Sequence, residues 1–277
     1  MQKFQLELLF HIIGIGSASG ILFNGESLFV ISDNGAHLFE YNMAGQPLEK
    51  IPLIESAVSA NIPKVLKPDF EAITSYGDDY YIFGSGSTEN RNRMVQYNAK
   101  TKATKIVDLS NLYLSMQSFG EISATDFNIE GVAFSGETWY FFQRGNGKSG
   151  TNAVFTVEGK NLENDFSILF NKYRLPKIKG IRSSFTDVAL IENELYFLAC
   201  VENSKSTYDD GEIFGSYIGT INTQTMKLGK TQKISDSHKF EGLTLYKKTA
   251  TQLELLLCED NDTEAQESDI YKLTIGL

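Results

Sequence analysis

The chain has 277 residues, of which 42% are hydrophobic and 22% charged, so it carries enough apolar material to bury a core and is not a disordered chain. Its net charge of −10 disfavours nucleic-acid binding, because that affinity depends on Lys and Arg neutralising phosphates. The 19 Phe and 13 Tyr, against 5 Pro, are typical of β-sheet joined by turns.

The first apolar stretch, FHIIGIGSAS at 10 to 19, resembles the hydrophobic part of a signal peptide followed by a cleavage site. Lys3 is the only basic residue before it, Glu7 interrupts the apolar run that leads into it, and its last residues belong to a repeat. No apolar stretch approaches the roughly 20 residues of a membrane helix. We therefore expect a soluble, cytoplasmic monomer; a signal peptide removed upstream of residue 1 is the alternative.

Five similar stretches follow one another along the chain, and each consists of an apolar run, a turn and a second apolar run. Their first residues are spaced 52 to 59 positions apart. Such a period, with several short strands in each unit, predicts an all-β, five-bladed β-propeller with four-stranded blades. The stretches begin at Ser19, Glu71, Glu130, Thr186 and Glu241.

The last unit has one further strand-like run, DIYKLTIGL, where the other units have two. The N-terminal segment 4–10 can supply the missing strand, so we expect it to pair into the fifth blade and close the ring. The whole chain, 1–277, is then one domain, with blades starting near 19, 71, 130, 186 and 241. Cys200 and Cys258 end similar apolar runs and are interpreted as buried free thiols rather than a disulfide.

The first residues of the five stretches carry only carboxylates and hydroxyls. The first strand of each propeller blade lines the central channel, so these side chains should converge on the axis. Because three carboxylates held close together raise one another's pKa, a compensating cation is expected, and a ring of oxygen ligands suits Ca²⁺. Hydrated strand caps are the alternative. The predicted ligands are Ser19, Glu71, Glu130, Thr186 and Glu241, with Ser184 an alternative to Thr186.

The longer loops, which should lie on one face, are the predicted functional side of the molecule. They include segments 32–35, 84–93, 143–152, 201–212 and 259–269, and the blade connections IESAVSANIPKVLK and SNLYLSMQSFGEIS are candidate lids. The segment GNGKSG resembles a phosphate loop but lacks its full spacing. Basic and polar side chains here suit a phosphate or carboxylate group, as on a small phosphorylated molecule, and surface ion pairing with nearby Asp and Glu is the alternative. The candidate substrate-binding residues are Asn34, Ser85, Arg91, Arg93, Lys148 and Arg182.

The order FNGESLFVISDNG, DFEAITSYGDDYYIFG, NIEGVAFSGETWYFF, RSSFTDVAL and KFEGLTL resembles the calcium-activated nucleotidases, or apyrases. The resemblance covers nearly the whole chain. It implies a five-bladed propeller with one channel calcium, held by Glu71, Glu130 and Glu241 and by neighbouring hydroxyls. It also implies catalytic roles for Asp33 and Arg144. A weaker resemblance links the chain to esterase-like phytase propellers.

Two functions follow from these observations. The first is a calcium-dependent phosphohydrolase acting on a nucleotide or another small phosphate ester. The second is a non-catalytic module with a structural calcium that binds a carbohydrate, peptide or protein. The second is favoured by Asn34 and Gly35, which follow Asp33 where the apyrases have an Arg.

Overall fold

The computed structural model describes residues 3–45, 47–54, 62–63, 65–204, 211–260 and 266–277. Five four-stranded antiparallel sheets follow one another along the chain and form the five blades. The all-β, five-bladed propeller predicted from the repeat is therefore confirmed.

Blades 1 to 4 each run from an inner to an outer strand in chain order. The strands of blades 1 and 2 are β2 (Ala18–Phe23), β3 (Ser27–Ser32), β4 (His37–Asn42), β5 (Glu49–Pro52), β6 (Phe70–Tyr76), β7 (Asp79–Gly84), β8 (Arg93–Asn98) and β9 (Thr104–Asp108). Those of blades 3 and 4 are β10 (Ile129–Phe134), β11 (Thr138–Gln143), β12 (Asn152–Asn161), β13 (Asp165–Tyr173), β16 (Ser184–Ile191), β17 (Glu194–Asn203), β18 (Glu212–Asn222) and β19 (Leu228–Ser235). A small hairpin, β14 (Lys177–Ile178) and β15 (Ile181–Arg182), precedes blade 4.

Blade 5 closes the ring with the N-terminal strand, as predicted. Its strands are β20 (Phe240–Lys248), β21 (Gln252–Glu259) and β22 (Glu267–Gly276), and β1 (Phe4–Ile13) pairs antiparallel with β22 at the outer edge. Because both ends of the chain share one sheet, opening the ring requires breaking a complete strand pair. Cys200 and Cys258 are free and buried, which confirms their interpretation as core thiols.

In all five blades, the ladder between the inner strand and the next strand is irregular at the first residue of the repeat. Register shifts fall between Ala18 and Gly20 in blade 1 and between Phe70 and Ala72 in blade 2, with the same pattern in the other three. Such a bulge leaves one residue out of the pairing and changes the direction of its side chain. The five residues left out are Ser19, Glu71, Glu130, Thr186 and Glu241.

Small residues let neighbouring inner strands approach closely just after the bulge. A Cβ atom at Gly242 would lie 2.9 Å from the backbone nitrogen of Ile21, and one at Gly131 would lie 3.1 Å from the backbone of Asp187. The glycines therefore contribute to tight packing around the axis.

The predicted lid SNLYLSMQSFGEIS forms a helix, α1 (Ser110–Gly120), that packs against the hydrophobic core. Leu112, Tyr113 and Met116 are fully buried, and the Tyr113 hydroxyl donates a hydrogen bond to the Gly84 carbonyl at 2.8 Å. Burying such side chains contributes about 1.5–3 kcal/mol each. Helix α1 therefore anchors the connection between blades 2 and 3. Most of the other predicted lid, IESAVSANIPKVLK, lies outside the described residues.

Candidate functional site

A network of charged side chains lies where the inner strands begin and the second strands end. This is the face on which the sequence predicted function. We call it the channel-mouth network. Its members come from all five blades and from the connections between them, so it exists only in the closed ring. They are Asp33, Lys67, Asp69, Glu71, Arg91, Glu130, Arg144, Glu202, Lys239, Glu241 and Asp260.

The two hydroxyls predicted as calcium ligands join neighbouring blades. Ser19 Oγ donates to the carbonyl of Phe70 at 2.5 Å, and Thr186 Oγ1 donates to that of Phe240 at 2.7 Å. Each acceptor directly precedes the bulge residue of the next blade. Thr186, not Ser184, occupies the bulge, since Ser184 pairs with Cys200 in the ladder. Both hydroxyls therefore stabilise contacts between blades.

Two of the three predicted glutamate ligands are paired with a buried arginine. Arg144 Nη1 lies 3.2 Å from Glu130 Oε1 and 3.3 Å from Glu241 Oε1, and Arg144 Nη2 lies 2.7 Å from Glu202 Oε2. Asn128 donates a further hydrogen bond to Glu130 at 2.5 Å. Arg144, predicted as catalytic, thus binds carboxylates from blades 3, 4 and 5.

Lys239, directly before the last inner strand, extends this pairing. Its Nζ lies 3.2 Å from Glu241 Oε1 and 3.0 Å from Asp260 Oδ2. Burial raises the pKa of Glu241 well above its usual range, while the ammonium of Lys239 and the guanidinium of Arg144 act in the opposite direction. Protein cations therefore compensate part of the negative charge for which the sequence predicted a metal.

The other half of the network surrounds Asp69. Its Oδ1 lies 2.9 Å from Lys67 Nζ and its Oδ2 lies 2.6 Å from Arg91 Nη1, and Ser85 donates to Oδ2. Lys67 also binds Asp33, the predicted catalytic acid. The structure thus brings three predicted residues, Asp33, Ser85 and Arg91, together around a carboxylate.

Lys67 and Asp69 were not among the predicted site residues, although the repeat carried a signal for Asp69. It lies two positions before Glu71, and the equivalent positions in the other blades are also polar. Those residues are Ser17, Asn128, Ser184 and Lys239. Lys67 lies in a blade connection outside the repeat pattern, so alignment of the blades could not have identified it.

Glu71 differs from the other two channel glutamates. Its carboxylate forms no hydrogen bond or ion pair with any described residue and is only partly buried. Burial raises its pKa well above the usual range, and repulsion from Glu130, Asp69 and Asp33 raises it further. A partly exposed carboxylate with a raised pKa and no partner among the described residues is a candidate ligand-binding or proton-transferring group.

Beside Glu71, Asp33 offers an oxygen that has no partner in the described part of the chain. Asp33, Asp69 and Glu71 each place one carboxylate oxygen within 4.8 Å of the others. Asp33 Oδ2 accepts from Lys67, whereas Oδ1 is buried and has no hydrogen-bond partner among the described residues. The position between Asp33 and Glu71 therefore suits a cation or a hydrogen-bond donor.

The remaining candidate residues have other local partners or are exposed. Arg93 begins β8 and pairs with Asp108 of β9, and Arg182 is exposed on the hairpin β14–β15. Asn34 donates from Nδ2 to Ser17 Oγ at 3.1 Å. The structure does not gather these residues into a basic cluster.

The loop that resembles a phosphate loop folds over a carboxylate of its own chain. The backbone nitrogens of Lys148 and Ser149 donate to Asp126 at 2.9 and 3.0 Å, while the Lys148 side chain is exposed. The donors that would face a phosphate are thus already occupied.

The predicted ring of five calcium ligands fits this geometry only in part. The hydroxyls of Ser19 and Thr186 donate to carbonyls, and Glu130 and Glu241 face Arg144 and Lys239. Among the described residues, the Glu71 carboxylate has no partner, and Oδ1 of Asp33 is unpaired although Oδ2 accepts from the ammonium of Lys67. A calcium-binding role for these residues stays a prediction, and its best position is the Asp33–Glu71 side of the channel mouth.

By its fold and its candidate site, the protein is a five-bladed β-propeller with a charged channel mouth. A family model matches residues 14–275, and the chain belongs to that family, which is described as a family of unknown function, DUF6929. Comparison with curated proteins found no match.

Solved structures support the fold. The chain is similar to Myxococcus xanthus glutaminyl cyclase, with 9% identity, a TM-score of 0.55 and coverage of 98% of this chain and 97% of that one. It is also similar to the tail fibre of Staphylococcus aureus phage P68, with 9% identity and a TM-score of 0.51, over 99% of this chain and 53% of the fibre chain. At this identity the likeness concerns the fold alone.

Among the described residues, no helix combines the length and the apolar character that crossing a membrane would require.

Proposed function

We propose that this propeller binds a small ligand with a positively charged amine at the channel mouth, between Glu71 and Asp33. The observation that carries the proposal is that neither the carboxylate of Glu71 nor the Oδ1 atom of Asp33 has a partner among the described residues. An ammonium group has three donors and one positive charge, so it can satisfy both oxygens at once.

The charge of the channel-mouth network supports an amine rather than a phosphate ester. Its described members include seven carboxylates and four basic groups. Every one of those basic groups already binds at least one carboxylate. The net negative charge of the network would therefore repel a phosphate ester, and its basic side chains are already paired with carboxylates. The binding-module hypothesis is accordingly preferred to the phosphohydrolase hypothesis.

Calcium is the second candidate for the same position, because carboxylate oxygens of Asp33, Asp69 and Glu71 lie within 4.8 Å of one another. A hard cation takes such oxygens together with water. Lys67, whose ammonium contacts both Asp33 and Asp69, would have to move aside for a doubly charged ion. For this reason the amine is the first candidate.

Glu71 would also be able to transfer a proton to and from a bound amine. Burial and the neighbouring carboxylates raise the pKa of Glu71 above its usual range, which makes it a stronger base that can take a proton from an ammonium and return it to a leaving group. An N-terminal glutaminyl peptide is one substrate of this kind: its amine nitrogen bonds to the side-chain amide carbon and ammonia leaves. The name of the Myxococcus xanthus protein makes such a peptide a sensible member of a test panel.

The test is a thermal-shift and calorimetric panel on the full chain. It contains primary amines, short peptides with free or acetylated amino termini, a glutaminyl peptide monitored for ammonia release, phosphate esters and CaCl₂. We expect free-amine peptides to bind, acetylated ones not to bind, and Glu71→Gln to weaken binding by about tenfold or more, as loss of a charge-assisted hydrogen bond would do. Glu137→Gln, a change of an exposed glutamate, is the matched control.

Each arm of the panel has a separate meaning. A response to calcium alone, lost in Glu71→Gln, would select the second candidate. A response to phosphate esters without one to amines would overturn the proposal and restore the phosphohydrolase hypothesis.

A further inference from the structure

A second group of metal-type donors, which shares no residue with the channel-mouth network, lies on the seam that closes the propeller. His11 of β1 is the direct cross-strand partner of Asp269 of β22, and Glu267 lies two residues before Asp269. Alternate residues of a strand point to the same face, so one imidazole and two carboxylates share this face. They are partly exposed, with His11 and Glu267 at 50% and Asp269 at 18%.

The donor atoms are already close together. His11 Nδ1 lies 2.5 Å from Asp269 Oδ1 and 3.6 Å from Glu267 Oε1, and the three donor atoms lie within 4.8 Å of one another. Ligand atoms around a tetrahedral zinc ion lie about 3.4 Å apart, given metal–ligand bonds of about 2.0–2.2 Å. The Glu267 distance already fits this value. The Asp269 carboxylate needs to swing away from the ring by about 1 Å, which a partly exposed side chain can do.

We propose that His11, Glu267 and Asp269 bind one divalent zinc-like ion that clips the N-terminal strand to the C-terminal strand. An imidazole nitrogen with two carboxylates is a ligand set for zinc and neighbouring transition metals, whereas calcium and magnesium prefer oxygen alone. The two carboxylates balance the charge of the ion, and the exposed side leaves a fourth position for water.

The location gives this ion a structural effect. The β1–β22 pair joins the N-terminal and C-terminal strands and completes blade 5. A ligand that binds only the closed pair shifts the equilibrium towards the closed ring in proportion to its binding.

The test uses the full chain, freed of metal, in calorimetric titrations with Zn²⁺ and Ca²⁺. We expect one equivalent of zinc to bind, with His11→Gln and Asp269→Asn each weakening binding by about tenfold or more, since even outer-shell changes cost about 10–100-fold. The chain has three histidines, so proton NMR of their ring signals should show one of them shifting with zinc, and His11→Gln should remove that signal. His37→Gln is the matched control and should leave zinc binding unchanged.

The outcomes separate this site from the channel mouth. Zinc binding that persists in His11→Gln, or zinc that fails to bind the wild-type chain at 1:1, overturns the proposal. Zinc binding abolished by Glu71→Gln but not by Asp269→Asn would assign the ion to the channel mouth instead. Because Glu71 plays no part in the seam site, failure of either proposal leaves the other standing.

Discussion

Arg144 and Glu241 meet across the channel, with Nη1 of Arg144 lying 3.3 Å from Oε1 of Glu241. The two residues belong to blades 3 and 5, which are not neighbours in the ring, and the same guanidinium binds Glu202 of blade 4. One buried side chain therefore joins three blades by electrostatic attraction. Several consequences can be measured.

Replacing Arg144 should be among the most damaging changes at the channel mouth. Arg144→Ala leaves Glu130, Glu202 and Glu241 without their shared cation, and removing one partner of a buried ion pair costs about 3–5 kcal/mol. Urea unfolding should show the midpoint falling accordingly. Lys148→Ala, in the same loop but exposed, should change the free energy of unfolding by less than about 0.5 kcal/mol. Equal stability of the two variants would contradict the role of Arg144.

Glu71→Gln should stabilise the fold at neutral pH while weakening ligand binding. The raised pKa of Glu71 means that the folded state takes up its proton more readily than the unfolded state does. The free energy of unfolding then falls as the pH rises from the pKa of Glu71 in the unfolded state through its pKa in the folded state. An uncharged Gln at this position removes that loss. Thermal unfolding between pH 5 and 8 should give a flatter profile for the variant, with Glu137→Gln following the wild type. A steeper profile would show that the Glu71 carboxylate is stabilised by the fold.

Asp187, a buried residue of the inner strand β16, should contribute to the same pH dependence. It is 1% exposed, its Oδ2 accepts from the Leu243 backbone nitrogen at 2.6 Å, and its Oδ1 has no hydrogen-bond partner among the described residues. Burial raises its pKa well above the usual range. Asp187→Asn keeps the shape of the side chain but removes its titrating carboxyl group. The slope of the free energy of unfolding against pH, above pH 5, should therefore become shallower. Asp165→Asn, on an exposed residue of β13, should leave that slope unchanged.

The hydroxyl of Thr186 should matter for stability rather than for metal binding. Thr186→Val keeps the side-chain shape but leaves the buried Phe240 carbonyl without its donor, which costs about 1–3 kcal/mol. Chemical denaturation measures this loss, and calcium titrated into the same variant measures any ligand role. An unchanged calcium response is expected. A calcium response lost together with the hydroxyl would support the ring of ligands that the sequence predicted.

Much of the architecture was predictable because it repeats. The five apolar pairs and their spacing gave the five blades, and the missing strand of the last blade predicted closure by the N-terminal segment. The five first residues, from Ser19 to Glu241, were also correctly recognised as equivalent, since each is the bulge residue of its inner strand.

The pairing of charges was not predictable, because each pair joins residues far apart in sequence. Arg144 meets Glu241 and Lys67 meets Asp33 only when the blades close into a ring. Glu71, Glu130 and Glu241 look alike in the repeat, yet Arg144 and Lys239 neutralise two of them and none of the described residues pairs with the third. Hydrophobic periodicity is a local property that the sequence alone determined, whereas the partner and pKa of a buried charge depend on groups brought together by the tertiary structure.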